Sequence, residues 1–187
     1  MNHKWDTSAE LGMEIALALL RGPAHLRAIA GLLGAPPSTV QRKLNELAGA
    51  GVLDFRTEGR NKVFFLKSGM QARSYVLRAE QYKLARLIRK YPEMGVIMND
   101  VAARAGGGMV LLFGSYAKFS AKNDSDIDIY IEDGSRKFRS EIEAVNSRIS
   151  VKSGPFDLGS DLIMEIIKNH VIIKGAEEFY AKTGFLG

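Results

Sequence analysis

The stretch LLFGSYAKFSAKNDSDIDIYI, residues 111–131, joins a continuous apolar run to an alternating one. In the alternating part, Ile127, Ile129 and Ile131 interleave with Asp126, Asp128 and Tyr130. Successive side chains of a strand point to opposite faces, so a strand here puts both aspartates on one face. Two like charges side by side repel and cost stability. That face is therefore either open to water or holds a cation. The run MVLLFG (109–114) predicts a buried strand, SYAKFSAK (115–122) a short helix and DIDIYIED (126–133) the second strand. Asp124 and Ser125 serve the turn between them. Gly114-Ser115 then stands at a strand end, where free backbone N–H groups favour a phosphate. Glycine lets the phosphate approach, and the serine hydroxyl adds a donor.

Outward from this stretch, EMGVIMNDVAARAG (93–106) reads as a helix stopped by Gly106, Gly107 and Gly108. A helix is expected across about 136–148, and a third strand over ISVKSGPFDLG (149–159), interrupted by Gly154-Pro155. LIMEIIKNH (162–170) is helical, VIIKG (171–175) extended and AEEFYAK (176–182) helical. Strands alternate with helices, so this half is α/β. Asp161 reads as the cap of its helix, and His170 as a structural residue at a helix end.

The first half is organised differently. Residues 8–21 and 25–34 read as helices ended by Gly22-Pro23 and Gly34. Ser38 is a suitable N-cap for STVQRKLNELAGAG, in which Val40, Leu44 and Leu47 form the buried stripe. Ser38, Thr39, Gln41, Arg42, Lys43 and Asn45 are expected to be exposed. VLDFRT and KVFFLK are two strands around the turn EGRN (58–61). His25 reads as a surface or packing residue at a helix start. His3 lies in an N-terminal tail. Residues 69–91 form a long helical stretch in which Met70, Leu77, Leu84 and Tyr91 recur every seven residues. Pro92 marks its end.

Charge separates the halves. Residues 1–92 carry 15 Lys/Arg against 7 Asp/Glu, and residues 93–187 carry 11 against 14. A basic part attracts polyanions such as nucleic acid. The 187-residue chain is 46% hydrophobic, enough for packed cores. It has no cysteine, which excludes disulfides, thiolate catalysis and cysteine-ligated zinc, and fits a cytoplasmic location. No run of about 18 apolar residues is present, so no membrane span is expected. MNHKWDTSAE lacks the order of a signal peptide.

Two resemblances follow from these residues. STVQRKLNELAGAGVLDFRTEGRNKVFFL resembles the winged helix-turn-helix family over about residues 8–68. The resemblance implies a third helix that enters the major groove, with Ser38, Thr39, Gln41, Arg42, Lys43 and Asn45 facing DNA. It also implies a wing whose Arg56, Arg60 and Lys62 reach phosphates. Gly-Ser, ten residues, then Asp-x-Asp resembles the polymerase-beta-like nucleotidyltransferase superfamily, most closely its minimal branch, over about residues 95–182. The tail KNHVIIKGAEEFY also looks like the end of those small domains. This resemblance implies a Mg2+-dependent enzyme using a nucleoside triphosphate, with two Mg2+ ions expected. Gly114, Ser115 and Lys118 would meet the nucleotide's phosphates. Asp126 and Asp128 would hold the metals, and Asp157 would be the third carboxylate, with Asp161 the weaker candidate for that place. The family often has Arg-Gly where Lys118-Phe119 stand; lysine loses the bidentate guanidinium, and Phe119 implies a loop of different shape.

The expected architecture is mixed α+β and α/β. It comprises a winged helix-turn-helix over 1–68, a linking helix over 69–92, and a nucleotidyltransferase fold with a small mixed sheet over 93–187. The expected activity is nucleotidyl transfer to an acceptor hydroxyl by a DNA-binding protein. The competing readings are a DNA-binding regulator whose second half senses nucleotide or is inactive, and an antitoxin modifying a separate HEPN-type toxin. In a further reading, the winged helix recruits a protein acceptor. A homodimer would suit paired DNA half-sites.

Overall fold

The computed structural model describes residues 8–106, 108–132 and 134–185. His3, Gly107 and Asp133 lie outside them. The chain divides into two units, Met1–Tyr82 and Lys83–Gly187. The fold is mixed α and β in both.

In the first unit, α1 (Ser8–Leu19) is followed by a two-residue strand, β1 (Ala24–His25), then α2 (Leu26–Leu33) and α3 (Pro37–Gly49). The hairpin β2 (Leu53–Glu58) and β3 (Asn61–Leu66) completes a sheet of order β1-β3-β2. β1 is an addition to the expected order: Ala24 and His25 pair antiparallel with Phe64 and Val63. His25 therefore does not begin α2 but caps it, its Nδ1 accepting from Ala28 N at 3.3 Å. Gly34 ends that helix at φ 60, the left-handed conformation expected of a C-terminal glycine. Ser38 is not the cap of α3. The cap lies two residues earlier, at Pro36, with Pro37 in the first turn, where its missing N–H costs nothing. Leu11, Ile15 and Leu19 of α1, Ile29 of α2, Val40, Leu44 and Leu47 of α3, and Leu53 and Phe64 of the sheet share one core.

The linking helix is observed as α4 (Met70–Lys90), and the boundary between the units falls within it. Its buried residues are Ala72, Val76, Ala79, Glu80 and Leu87, whereas Met70 is 70% exposed. The seven-residue recurrence is therefore not the buried stripe. Among the described residues no helix is long and apolar enough to cross a membrane.

In the second unit, α5 (Glu93–Arg104) leads to β4 (Val110–Phe113) and the single-turn α6 (Gly114–Ala117). β5 (Ile127–Glu132), α7 (Arg136–Glu143), β6 (Ile149–Gly154), α8 (Asp161–Lys168), β7 (Val171–Lys174) and α9 (Ala176–Lys182) follow. The sheet order is β6-β5-β4-β7, with β4 antiparallel to both neighbours and β5 parallel to β6. β4 lies inside the sheet and is buried along its whole length, which accounts for its unbroken apolar run. Ile127, Ile129 and Ile131 of β5 and Ile149 and Val151 of β6 pack on one face with Met94, Met98 and Val101 of α5 and Ile142 of α7. Asp128, Tyr130 and Glu132 take the opposite face by alternation. The helix expected over 136–148 is shorter; Ser135 starts it, accepting from Phe138 N at 3.3 Å.

Candidate active site

The antiparallel register of β4 and β5 builds the site. Phe113, the last residue of β4, pairs with Asp128. The next residue, Gly114, turns the chain into α6 with φ 69. A Cβ on Gly114 would lie 2.2 Å from Asp128 Oδ2 and 3.1 Å from its Cγ. The carboxylate thus occupies space that only a glycine leaves open, at a backbone angle that side chains rarely adopt. Gly-Ser and Asp-x-Asp, a loop apart in sequence, meet at one point.

Asp126 sits one residue before the first paired position of β5, so the strand is shorter than the expected 126–133. It remains close enough to act on Asp128. Burial pushes the Asp128 carboxyl above its ordinary value, the Asp126 charge pushes it the same way, and Lys152 acts in the opposite sense. Asp126 is exposed, but Asp128 is half-buried and carries a desolvated charge beside another of the same sign.

Oxygen-only donors and two neighbouring negative charges suit a hard divalent cation such as Mg2+. Ser115 is the second residue of α6 and is half-buried; its carbonyl accepts from Ser120 N at 2.9 Å. The loop from α6 to β5 is pinned by Arg148, whose Nη1 donates to Tyr116 Oη at 3.0 Å and Asn123 O at 2.9 Å. Nothing in the sequence marked Arg148, because its partners are 32 and 25 residues away.

Phe119 adopts φ 56, the only positive φ at a non-glycine among the described residues. A positive φ is the conformation that glycine adopts at no steric cost. The Arg86 guanidinium lies 4.0 Å from the Phe119 ring centre, and Lys90 Nζ donates to its carbonyl. Lys118 is not aimed freely at a ligand; it pairs with Glu165 Oε1 at 2.7 Å and holds that carboxyl below its usual value.

Asp157 departs from its expected place. β6 ends at Gly154, and Pro155 has no N–H with which to extend the ladder. Asp157 lies three residues beyond in an exposed loop, its Oδ1 accepting from Gly159 N at 2.9 Å. Among the described residues no group of three or more His, Asp or Glu side chains comes together as a metal site. Asp161 does not cap α8; Ser160 holds that position, without a side-chain hydrogen bond. His170 is buried, its Nδ1 3.0 Å from Ile166 O and its ring against Phe179.

In the first unit, Ser38, Arg42 and Asn45 of α3 are exposed, and Thr39 and Gln41 are half-buried. Gln41 Nε2 donates to Asn45 Oδ1 at 2.9 Å. Lys43 corrects the expected exposed set: it is 4% exposed and paired with Glu46 at 2.7 Å. Its stem passes so close to Gly12 of α1 that a Cβ there would lie 3.3 Å from Lys43 Cδ. On the hairpin, Arg60 and Lys62 are exposed, and Lys62 Nζ stands 3.8 Å from the Phe55 ring centre. Arg56 is engaged by Glu58 at 2.7 Å. No protein-family model matches this chain, and a search of curated proteins finds no match.

Proposed function

We propose that the second unit binds a nucleoside triphosphate with Mg2+ and transfers its nucleotidyl group to an acceptor hydroxyl, and that the first unit binds DNA. The observation that carries the enzymatic reading is the approach of Gly114 to Asp128, with Ser115 and Asp126 beside it. Asp126 and Asp128 would hold the metal, which when bound neutralises the triphosphate. Ser115, the second residue of α6, would supply a hydroxyl donor to a phosphate. Arg148 and the folded Phe119 turn hold the loop that carries Asp126. In the reaction the acceptor oxygen bonds to the α-phosphorus, the bond to the β-phosphate's bridging oxygen breaks, pyrophosphate leaves, and the acceptor's proton passes to water.

For the first unit, helix, short strand, two helices and a hairpin in a sheet of order β1-β3-β2 support a winged helix-turn-helix. Ser38, Arg42 and Asn45 on α3, with Arg60 and Lys62 on the hairpin, are the groups free to meet DNA. A second reading, a nucleotide-sensing regulator without transfer activity, is favoured by one observation: Asp157 is not assembled with Asp126 and Asp128.

The two readings separate in one assay. The protein is incubated with α-labelled nucleoside triphosphates, Mg2+ and a cell lysate, beside the Asp126→Ala/Asp128→Ala protein. Label on a discrete acceptor only with the intact aspartates is the expected result for the enzyme. Cation-dependent nucleotide binding with no label on any acceptor would move the assignment to the sensor.

A further inference from the structure

This inference rests on the nucleotide reading above and concerns how that site is charged. We infer that it works with one divalent cation, because the strand beside the aspartates brings Ser150 and Lys152, not a carboxylate, to their face. β5 and β6 are parallel, with Asp128 paired to Ser150 and Tyr130 to Lys152. Residues paired across a sheet share a face. Ile127, Ile129, Ile149 and Val151 all enter the opposite, buried side. Ser150 and Lys152 therefore stand on the aspartate side, Ser150 half-buried and Lys152 exposed.

The other neighbour of Asp128 in the sheet is Phe113, which offers no donor. Asp128 is thus flanked by a phenyl ring and a hydroxyl. Asp157 uses Oδ1 in its own turn, and Asp161 stands in the first turn of α8, beyond the end of β6 at Gly154. Two cations about 3.5–4 Å apart need anionic ligands around both. Asp126 and Asp128 supply charge for one, and a serine hydroxyl is a neutral ligand. Lys152 pairs with Tyr130, two residues along β5 from Asp128 on the same face, so its ammonium can reach the pair. An ammonium there repels a second dication and offsets triphosphate charge in its stead. Lys152 thereby becomes a nucleotide-binding residue, a role for which Lys118, paired with Glu165, is less available.

The test counts Mn2+ retained per full-length chain, by equilibrium dialysis with a non-hydrolysable ATP analogue. One Mn2+ is expected for the wild-type chain, unchanged in Asp157→Asn and lost in Asp126→Asn/Asp128→Asn. Ser150→Asp raises the count to two. Lys152→Gln keeps one Mn2+ but weakens the analogue about tenfold, the equivalent of about 1.4 kcal/mol. Two Mn2+ in the wild-type chain, or loss on Asp157→Asn, overturns the inference, and these two counts decide it if Ser150→Asp does not fold. A folded Ser150→Asp that still holds one overturns it as well. Retention of no Mn2+ by any chain overturns the nucleotide reading and this inference with it.

Discussion

Gly114 is the residue on which backbone and site depend together. At φ 69 an alanine is strained by about 1–2 kcal/mol, and its Cβ would meet the Asp128 carboxylate. Gly114→Ala is expected to lower the melting temperature and to displace Asp128, so that cation-dependent nucleotide binding is lost; calorimetry and a binding titration read the two effects. Asp128 carries the opposite balance. Its carboxyl is raised by burial first and by Asp126 second, so stability falls as pH rises from the ordinary value of 3.8 and the cost is complete above the raised folded value. Without divalent cations, Asp128→Asn is expected to melt higher than the parent at neutral pH. That advantage should vanish as pH falls below the ordinary carboxylate value of 3.8, where both chains are neutral at this position. A melting point unchanged or lower at neutral pH would contradict it. The aspartates were legible in the sequence because a period of two on an apolar strand has few other meanings. Arg148 and the left-handed Phe119 were not, since neither a contact over 25 residues nor a backbone angle has a local signature.

Among the elements, α3 shows where a helical pattern misleads when only apolar letters are counted. Val40, Lys43, Leu44 and Leu47 are its buried residues, spaced three and four apart, so Lys43 belongs to the stripe. A lysine was assigned to the exposed face because its charge was read and its aliphatic stem was not. The two basic neighbours should therefore behave differently. Arg42→Ala is expected to leave the unfolding free energy within about 0.5 kcal/mol of the parent while weakening DNA binding and its salt dependence. Lys43→Ala is expected to cost stability, of the order of 1–3 kcal/mol, because Glu46 loses its partner and Gly12 loses its packing. DNA binding by the folded Lys43→Ala fraction should be close to normal; an unchanged melting point with weakened binding would reverse the assignment. β6 makes the same point for strands. Its pairing with β5 was not readable from ISVKSGPFDLG, and only the register shows that Ser150 stands beside Asp128. β1 escaped notice because two residues carry no periodicity.

For the whole molecule, charge and element order indicated two parts, and two separate cores bear that division. The expected borders at 68 and 92 bracketed the linking helix, whereas the contacts divide within it, because a continuous helix gives no sequence punctuation where packing changes. Separate cores imply separable damage. Leu44→Ala empties a fully buried site in the first core and is expected to cost about 2–5 kcal/mol there. Amide exchange should accelerate over residues 8–66 while nucleotide binding by the second unit persists. The central claim is that Gly114, Ser115, Asp126 and Asp128 form a cation-dependent nucleotide site. The most direct measurement is a calorimetric titration of the full chain with a non-hydrolysable ATP analogue, with and without Mg2+, beside Asp126→Asn/Asp128→Asn. Binding that requires Mg2+ and disappears in the double variant is the predicted result. Binding indifferent to Mg2+ and to both substitutions, or no binding by the parent chain, would contradict the claim.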